Sequence, residues 1–124
     1  MESTAGEWVR EAEDNLTTAK ILYQNERFKD SAYYRHQVVE KALKSVQIEK
    51  LKRFDMVHDL VRLAKSVDAP RGVIIHCEKL TKYYVPTKYP VLKRQVPNEK
   101  EAESSLAEAE EVLEWAKSTL KSYK

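Results

Sequence analysis

The stretch that decides the fold is Asp30-Ser-Ala-Tyr-Tyr-Arg-His-Gln-Val-Val-Glu-Lys-Ala-Leu-Lys-Ser-Val-Gln-Ile-Glu-Lys50, which contains neither glycine nor proline. Apolar and small residues recur in it at helical spacing, at Ala32, Val39, Ala42, Leu43 and Val46. That period is typical of a helix that buries one face. Charged and aromatic side chains crowd the flank of this face. We therefore expect the helix to lie centrally in a bundle and also to border a cleft.

The composition indicates an all-helical domain. A chain of 124 residues is long enough for one domain with its own hydrophobic core. It contains only 2 glycines and 4 prolines, while 34% of its residues are charged. Good helix formers therefore predominate. The net charge of +2 lacks the strong positive bias of a general duplex binder, although local patches can still hold phosphate.

The sequence does not favour a metal-binding, disulfide-stabilised or membrane protein. The single cysteine, Cys77, excludes an intramolecular disulfide, and three scattered histidines without a cysteine pair argue against structural zinc. We expect no metal site and no cofactor. The first six residues lack the basic and apolar regions of a signal peptide, and no apolar run approaches membrane-spanning length. The expected protein is soluble and cytoplasmic, with no membrane association.

Capping signals place the first two helices. Thr4 and Glu7 are spaced as a capping box, which predicts a helix that starts near Thr4 or Ala5 and ends at residues 24–26. Asp30 is the predicted N-cap of the second helix. That helix should end near residues 50–52, where basic side chains complement the helix dipole.

Two shorter helices are predicted next. Asp55 is the expected N-cap of a third helix, which covers residues 58–67. Pro70 suits the first turn of a fourth helix. We expect that helix to end at Val85, because a residue before proline avoids helical backbone angles. A loop then runs over residues 85–97, and loops of this length are often functional.

The last helix has the most regular pattern in the chain. Asn98 and Glu101 form a second predicted capping box. A heptad-like seam follows at Ala102, Leu106, Ala109, Leu113, Ala116 and Leu120. Residues 1–124 are therefore expected to form a single all-α domain. Its predicted architecture is a five-helix, up-down antiparallel bundle of three long and two shorter helices.

Three stretches resemble the HEPN domain family. Ala32-Tyr-Tyr-Arg-His-Gln-Val-Val-Glu-Lys-Ala-Leu-Lys44 resembles the second helix of that family, small-aromatic-x-x-x-Q-x-x-E-K-x-[LI]-K. His58-Asp-Leu60 resembles the start of its short third helix. Tyr83-Tyr-Val-Pro-Thr-Lys-Tyr-Pro90 is similar to its Y-[IV]-P-[TS]-[RK]-Y-P segment, with Lys88 where arginine is usual. The resemblance covers nearly the whole chain and implies the same five-helix bundle.

Five residues in these stretches are candidate ligand contacts. Two prolines stiffen the segment that presents Thr87, Lys88 and Tyr89. A hydroxyl, an ammonium and an aromatic face are groups that hold a phosphate and stack a base. Lys44 and His58 join them as candidates, since both belong to stretches that carry the resemblance.

Packing roles are the alternative for the same residues. Tyr84 and Tyr89 can pack against the end of the bundle, because aromatic side chains in loops usually pack. Lys88 can pair with a carboxylate of the second helix such as Glu40. His58 can bond to a neighbouring side chain or backbone group near a helix N-terminus.

Two segments match the Arg-x4–6-His motif of the ribonuclease members of the HEPN superfamily. Arg71 and His76 stand at the start of the predicted fourth helix, and Arg53 and His58 lie one helix earlier. The resemblance implies that the histidine transfers protons and that the arginine stabilises the phosphate in the transition state. Gly72 stands where such motifs usually carry a polar residue after the arginine.

The resemblance implies two functions of different kinds. HEPN proteins of this size often pair with a separately encoded minimal nucleotidyltransferase in toxin–antitoxin-type systems. The first hypothesis is therefore a nucleotide- or RNA-binding module with such a partner. The alternative is a metal-independent endoribonuclease toxin that uses an Arg-x4-His pair in a homodimer. A helical interaction protein without a ligand is a third possibility. We expect a homodimer, because Trp8, Trp115 and several tyrosines provide apolar area to cover.

Overall fold

Five helices form within the part of the chain that the structure describes. The structure is a computed structural model that describes residues 4–88 and 97–123, with only the backbone described for residues 82–88. The predicted all-helical bundle is confirmed. The helices are α1 (Ala5–Gln24), α2 (Phe28–Leu51), α3 (Leu60–Ser66), α4 (Arg71–Lys88) and α5 (Glu99–Lys121).

Helix α2 is the central element of the bundle. It packs against each of the other four described helices, while α1 also contacts α5, and α4 contacts α3 and α5. Val38, Val39, Leu43 and Val46 of α2 are completely buried. The expectation that the Asp30–Lys50 stretch lies centrally is therefore correct. Every other described helix is positioned against this one.

Small residues allow the long helices to approach closely. Ala12 and Ala19 of α1 and Ala109 and Ala116 of α5 have no exposed surface. The predicted seam of α5 is buried except at Leu120, which lies near the end of the helix and is partly exposed. None of the described helices is both long enough and apolar enough to cross a membrane.

Both predicted capping boxes are present. The Thr4 backbone N–H donates to Glu7 Oε1 at 2.9 Å, and the Glu7 N–H donates to Thr4 Oγ1 at 3.2 Å. At α5, the Asn98 N–H donates to Glu101 Oε1 at 3.0 Å, and the Glu101 N–H donates to Asn98 Oδ1 at 2.8 Å. These signals are local, so the sequence spacing was sufficient to find them.

The predicted N-cap of α2 was wrong. The helix begins at Phe28 with Arg27 as N-cap, and Asp30 lies in the first turn. The Phe28 ring packs at 5.7 Å from that of Tyr23, which brings α2 close to the end of α1. The Asp30 carboxylate instead accepts a hydrogen bond from Arg27 at 2.6 Å. Packing between the two helices therefore extended α2 beyond the position that the capping preference predicted.

The predicted N-cap of α3 was also wrong. Asp59 caps the helix by accepting a hydrogen bond from the Arg62 backbone N–H at 3.2 Å. Asp55 does not cap a helix, because its backbone and side chain are bound by Gln47 of α2. His58 consequently lies in the loop before α3 and not in the helix.

Helix α4 is longer than predicted. Its backbone remains helical to Lys88 and passes through Val85 and Pro86, where we expected it to end. The fixed φ angle of proline is close to helical, so the residue weakens a helix near its end without always terminating it. Pro70 lies just before the helix, and its carbonyl accepts hydrogen bonds from the next turn. The rest of the predicted loop, residues 89–96, lies outside the described residues.

Removal of core volume from α2 should destabilise the whole bundle. Leu43 is completely buried, so Leu43→Ala should lower the free energy of unfolding by about 2–5 kcal/mol. Met56 is 85% exposed, so Met56→Ala should change it by about 0.5 kcal/mol or less. Urea unfolding followed by circular dichroism measures both values. Equal decreases in the free energy of unfolding of the two variants would contradict the described core.

The Cys77 thiol should be protected in the folded protein. Burial, with smaller contributions from the charges of Glu78 and Asp59, raises its pKa to about 12 from an ordinary value of 9.0. The unfolded state therefore loses this proton first as the pH rises. The contribution of Cys77 to stability should be complete below about pH 9 and decline towards pH 12. A disulfide reagent at pH 8 should label the native protein far more slowly than the urea-unfolded protein. Rapid native labelling would contradict the burial.

Candidate functional site

A cluster of buried ionisable side chains lies on α2, inside an otherwise apolar bundle. Arg35, His36, Glu40 and Lys44 are each at most 5% exposed. Glu40 lies four residues after His36 and four before Lys44, so the three share one side of the helix. His58 joins them from the loop before α3. We call His36, Glu40, Lys44 and His58 the Glu40 cluster.

The Glu40 carboxylate is the centre of this cluster. Its Oε2 accepts a hydrogen bond from Lys44 Nζ at 2.9 Å and lies 2.9 Å from His58 Nδ1. Its Oε1 lies 3.1 Å from the same imidazole nitrogen and 3.6 Å from His36 Nδ1. One buried carboxylate thus has three nitrogen-bearing side chains around it, and charge-assisted contacts of this kind are the stronger hydrogen bonds.

His58 is held at one nitrogen and open at the other. Its Nδ1 faces Glu40, while the side chain as a whole is 60% exposed. Nε2 has no hydrogen-bond partner among the described residues. A carboxylate at Nδ1 favours the tautomer with a proton on that nitrogen and leaves the lone pair of Nε2 available. His58 can therefore bind a ligand or accept a proton through Nε2.

Two aromatic rings cover the Lys44 ammonium. Lys44 Nζ lies 5.9 Å from the ring centroids of both Trp8 and Phe54. The two rings contact each other at 4.9 Å with an interplanar angle of 57°. Lys44 is only 4% exposed, so a ligand has little direct access to its charge. It influences the site through its ion pair with Glu40.

Gln47 anchors the loop that carries His58. Its side-chain Nε2 donates to Asp55 Oδ2 at 3.1 Å and to Ser66 Oγ at 2.9 Å, and its Oε1 accepts from the Asp55 N–H at 3.0 Å. Arg53 forms an ion pair with Asp55 and is 58% exposed. Gln47 of α2 therefore holds the loop between α2 and α3, and Arg53 and His58 are exposed on the surface of this loop.

Sequence reasoning did not assign site roles to Arg35, Glu40 or Gln47. A signal was available, because Glu40, Lys44 and Gln47 follow one another at helical spacing and form a polar stripe on a mostly buried helix. Arg35 belongs to a second contact, in which its Nη1 lies 3.5 Å from Ser31 Oγ. Ser31 in turn donates to the Ala19 carbonyl at 2.8 Å and connects α2 to α1.

His76 lies in a different environment from His58. Its Nε2 lies 2.6 Å from Glu111 Oε2, and its Nδ1 lies 3.5 Å from Glu108 Oε2. Lys79 lies 3.3 Å from the same Glu108 carboxylate. Both ring nitrogens of His76 thus face carboxylates of α5. The contacts join α4 to α5 and leave this imidazole little freedom to act on a substrate.

The two Arg-x4-His matches differ accordingly. Arg71 is the first residue of α4, and five residues along a helix correspond to a rotation of about 140° relative to His76. The structure does not bring that pair to one face. Arg53 and His58 both extend from the loop between α2 and α3, and both are more than half exposed.

The other three predicted ligand contacts belong to the Tyr83–Pro90 stretch. The side chains of Thr87 and Lys88, and Tyr89 as a whole, lie outside the described residues. In residues 4–81 and 97–123, no group of three or more His, Cys, Asp or Glu side chains could hold a metal ion. Within the Glu40 cluster, the exposed imidazole of His58 is the group that suits proton transfer, because the other members are buried.

Comparison with known proteins identifies the family. The sequence profile described as the HEPN domain matches residues 5–119. The chain belongs to the HEPN domain family. The HEPN resemblance of the three stretches and the architecture that it implied are thereby confirmed. No curated protein matches the chain.

Two solved structures are similar to this HEPN domain. TT1696 from Thermus thermophilus is 24% identical, with a TM-score of 0.83 over 92% of this chain and 96% of that one. ST0689, described as an archaeal HEPN homologue, is 21% identical, with a TM-score of 0.81 over 95% of this chain and 98% of that one. At these identities the likeness shows a shared fold.

Two of the three stretches that carried the resemblance meet in this HEPN domain. The Ala32–Lys44 stretch supplies Glu40, and the His58–Leu60 stretch supplies the imidazole that contacts it. These residues are 18 positions apart in the chain. The third stretch, Tyr83–Pro90, is described only through the backbone of α4, up to Lys88.

Separation of the buried charges should be more harmful than removal of both. Glu40→Leu leaves Lys44 buried without its carboxylate, which should lower the free energy of unfolding by about 3–5 kcal/mol. Glu40→Leu/Lys44→Met removes both charges, and its stability should be close to that of the parent protein. Chemical denaturation of the two variants measures the difference. A double variant that loses as much stability as Glu40→Leu alone, or more, would contradict the described coupling.

Proposed function

We propose that this HEPN domain is a nucleotide- or RNA-binding module whose ligand occupies the loop surface above the Glu40 cluster. The observation that carries the proposal is the His58 imidazole, whose side chain is 60% exposed and whose Nδ1 is held by a buried carboxylate. Buried charges seldom add net stability, so a cluster of them beside an exposed histidine favours a role in binding.

The residues of the site contribute in different ways. The exposed Arg53 guanidinium provides hydrogen-bond donors for a phosphate group, and His58 Nε2 accepts a hydrogen bond from a hydroxyl or N–H group of the ligand. Lys44 acts through Glu40, because its ammonium is covered by aromatic rings. Thr87, Lys88 and Tyr89 are retained as proposed contacts on their resemblance to the family segment, and they would supply a hydroxyl, a cation and a stacking face.

We also propose the assembly in which the module acts. The domain forms a homodimer and pairs with a minimal nucleotidyltransferase in a toxin–antitoxin-type system in the cytoplasm, where nucleotides and RNA are found. Exposed apolar side chains support an interaction surface, since Met56 is 85% exposed and Ile21 is 52% exposed. Sedimentation at micromolar concentration tests the dimer, and a monomer would contradict it.

A second function is favoured by the same histidine. In a metal-independent endoribonuclease, His58 Nε2 would take the proton of an RNA 2′-hydroxyl, and the 2′-oxygen would attack the adjacent phosphorus. The P–O5′ bond would break, with the leaving oxygen protonated by water or by a second imidazole. Arg53 would stabilise the charge on the phosphate. Both nitrogens of His76 face carboxylates, so Arg53 and His58 are the favoured pair over Arg71 and His76.

Ligand binding should depend on His58. A panel of nucleotides and a short RNA should include one that raises the melting temperature, because a ligand at 100 times its Kd adds about 2.7 kcal/mol to stability. His58→Ala should abolish this shift. His76→Gln is the matched control, because His76 is occupied by α5 carboxylates, and it should retain the shift. A shift that survives in His58→Ala would place the ligand elsewhere.

Cleavage separates the two functions. The purified chain, incubated with RNA in EDTA, should leave the RNA intact if the domain is only a binding module. If it is a ribonuclease, products should appear without metal, and His58→Ala should abolish them. His76→Ala should then retain activity. Loss of cleavage in His76→Ala alone would instead assign the chemistry to Arg71 and His76.

A further inference from the structure

Positive charge is concentrated in the middle of this nearly neutral chain. The segment from Lys50 to Arg71, which we call the α3 region, contains six lysine or arginine residues and three aspartates. Its net charge is therefore +3, in a chain with a total charge of +2. Helix α5 has the opposite bias, with seven glutamates and three lysines. The overall charge therefore conceals a separation of charge between the α3 region and α5.

Most cations of the α3 region are not neutralised by neighbouring side chains. Lys52, Arg62, Lys65 and Arg71 are all exposed. Within residues 4–81 and 97–123, none of these four side chains has a described ion pair or hydrogen bond. Elsewhere the lysines are often paired, as Lys20 is with Glu110 at 3.3 Å. We call these four residues the α3 basic surface.

The aspartates of this region leave it with a net positive charge, because two of the three pair with cations that do not belong to the α3 basic surface. Asp55 binds Gln47 and Arg53, and the side chain of Asp59 accepts the Arg62 backbone N–H as the N-cap of α3. Asp68 lies 3.3 Å from Lys50. The four cations of the α3 basic surface thus remain available to an external anion.

Helix α3 presents these charges next to the proposed site. Leu60, Leu63 and Ala64 are buried, and α3 packs against α2 and α4. Arg62 and Lys65 are three residues apart and lie on the opposite, exposed side of α3. The chain enters α3 directly from the loop that carries Arg53 and His58, and Arg71 opens α4 five residues after α3 ends.

We infer that the α3 basic surface binds the phosphate backbone of single-stranded RNA that extends beyond the His58 site. This inference rests on the proposed function and specifies its ligand as a polynucleotide. Exposed arginine and lysine side chains without internal partners bind phosphates with release of counterions and without base specificity. A mononucleotide would need only the His58 site, whereas a polynucleotide would extend from that site along α3.

RNA is favoured over the other polyanions that basic surfaces bind. A helix that lies on an anionic membrane presents exposed apolar side chains beside its cations, whereas Leu60 and Leu63 of α3 are fully buried. An acidic protein segment would match the charge, but it would not explain the continuity with Arg53 and His58. A phosphate backbone matches the positive charge of α3 and can also extend to the adjoining Arg53 and His58.

Neutralisation of two cations tests the inference. Arg62→Gln/Lys65→Gln removes the charges on the outer side of α3. Lys29→Gln/Lys100→Gln is the matched control, because both residues are exposed and also lack a described ion pair. The control pair lies at the other end of the bundle, where the Tyr23 hydroxyl contacts Glu103 near the start of α5. The probe is a fluorescein-labelled oligouridylate of about 20 nucleotides, measured by anisotropy over a range of salt concentrations.

The α3 variant should bind this RNA about 25-fold more weakly at about 0.1 M salt, with a salt slope that is shallower by about 1.4. The control should match the parent protein. Equal affinity and slope in all three proteins would overturn the inference. Preferential binding of the parent protein to phosphatidylserine vesicles, in place of RNA, would also overturn it and assign the surface to a membrane.

Failure of the proposed function gives a different result. If His58→Ala leaves RNA affinity unchanged while Arg62→Gln/Lys65→Gln lowers it, RNA binds the α3 basic surface and the proposed His58 site is wrong. A second result is that a nucleotide raises the melting temperature of the parent protein but not of His58→Ala, while the α3 variant binds RNA with normal affinity. In that case the His58 site is supported and the α3 basic surface does not bind RNA. Melting temperatures of both double variants in the absence of ligand exclude unfolding as the cause.

Discussion

The buried carboxylate of Glu40 is the constraint on which the functional part of this HEPN domain depends. It lies within 3.1 Å of nitrogen atoms from Lys44 and His58 and near the imidazole of His36. A charge in that position requires partners, because an unpaired buried charge is strongly destabilising. The carboxylate thereby fixes the orientation of His58 and, with Gln47 nearby, the path of the loop that leads into α3.

Helix α2 combines two roles that usually conflict. Val38, Leu43 and Val46 fill the centre of the hydrophobic core, while Glu40 and Lys44 lie on the same helix with almost no exposure. Apolar burial drives association of the helices, and the polar stripe opposes it unless every member is bonded. The Trp8 and Phe54 rings lie over Lys44 and shield its ion pair with Glu40 from water. A helix that served packing alone would not need this arrangement.

The distribution of charge gives the bundle two distinct surfaces. Glu108 and Glu111 of α5 lie against the two nitrogens of His76, Glu108 also pairs with Lys79 of α4, and Glu110 pairs with Lys20 of α1. The α3 region keeps its arginines and lysines exposed, and its aspartates serve local bonds. An anionic ligand is therefore attracted towards the end that holds His58 and is repelled along α5. A net charge of +2 gives no indication of this polarity.

The sequence by itself determined the five helices, the central place of α2 and the caps at Thr4 and Asn98, because periodicity and capping act between residues close in the chain. The same logic failed at Asp30 and Asp55, where packing against another helix or a bond to Gln47 outweighed local preference. Only the tertiary structure decided that Glu40 binds His58 and that carboxylates of α5 occupy His76. Glu40 and His58 lie 18 residues apart, and His76 and Glu111 lie 35 residues apart, so each contact depends on how the helices pack and on which way the side chains then point.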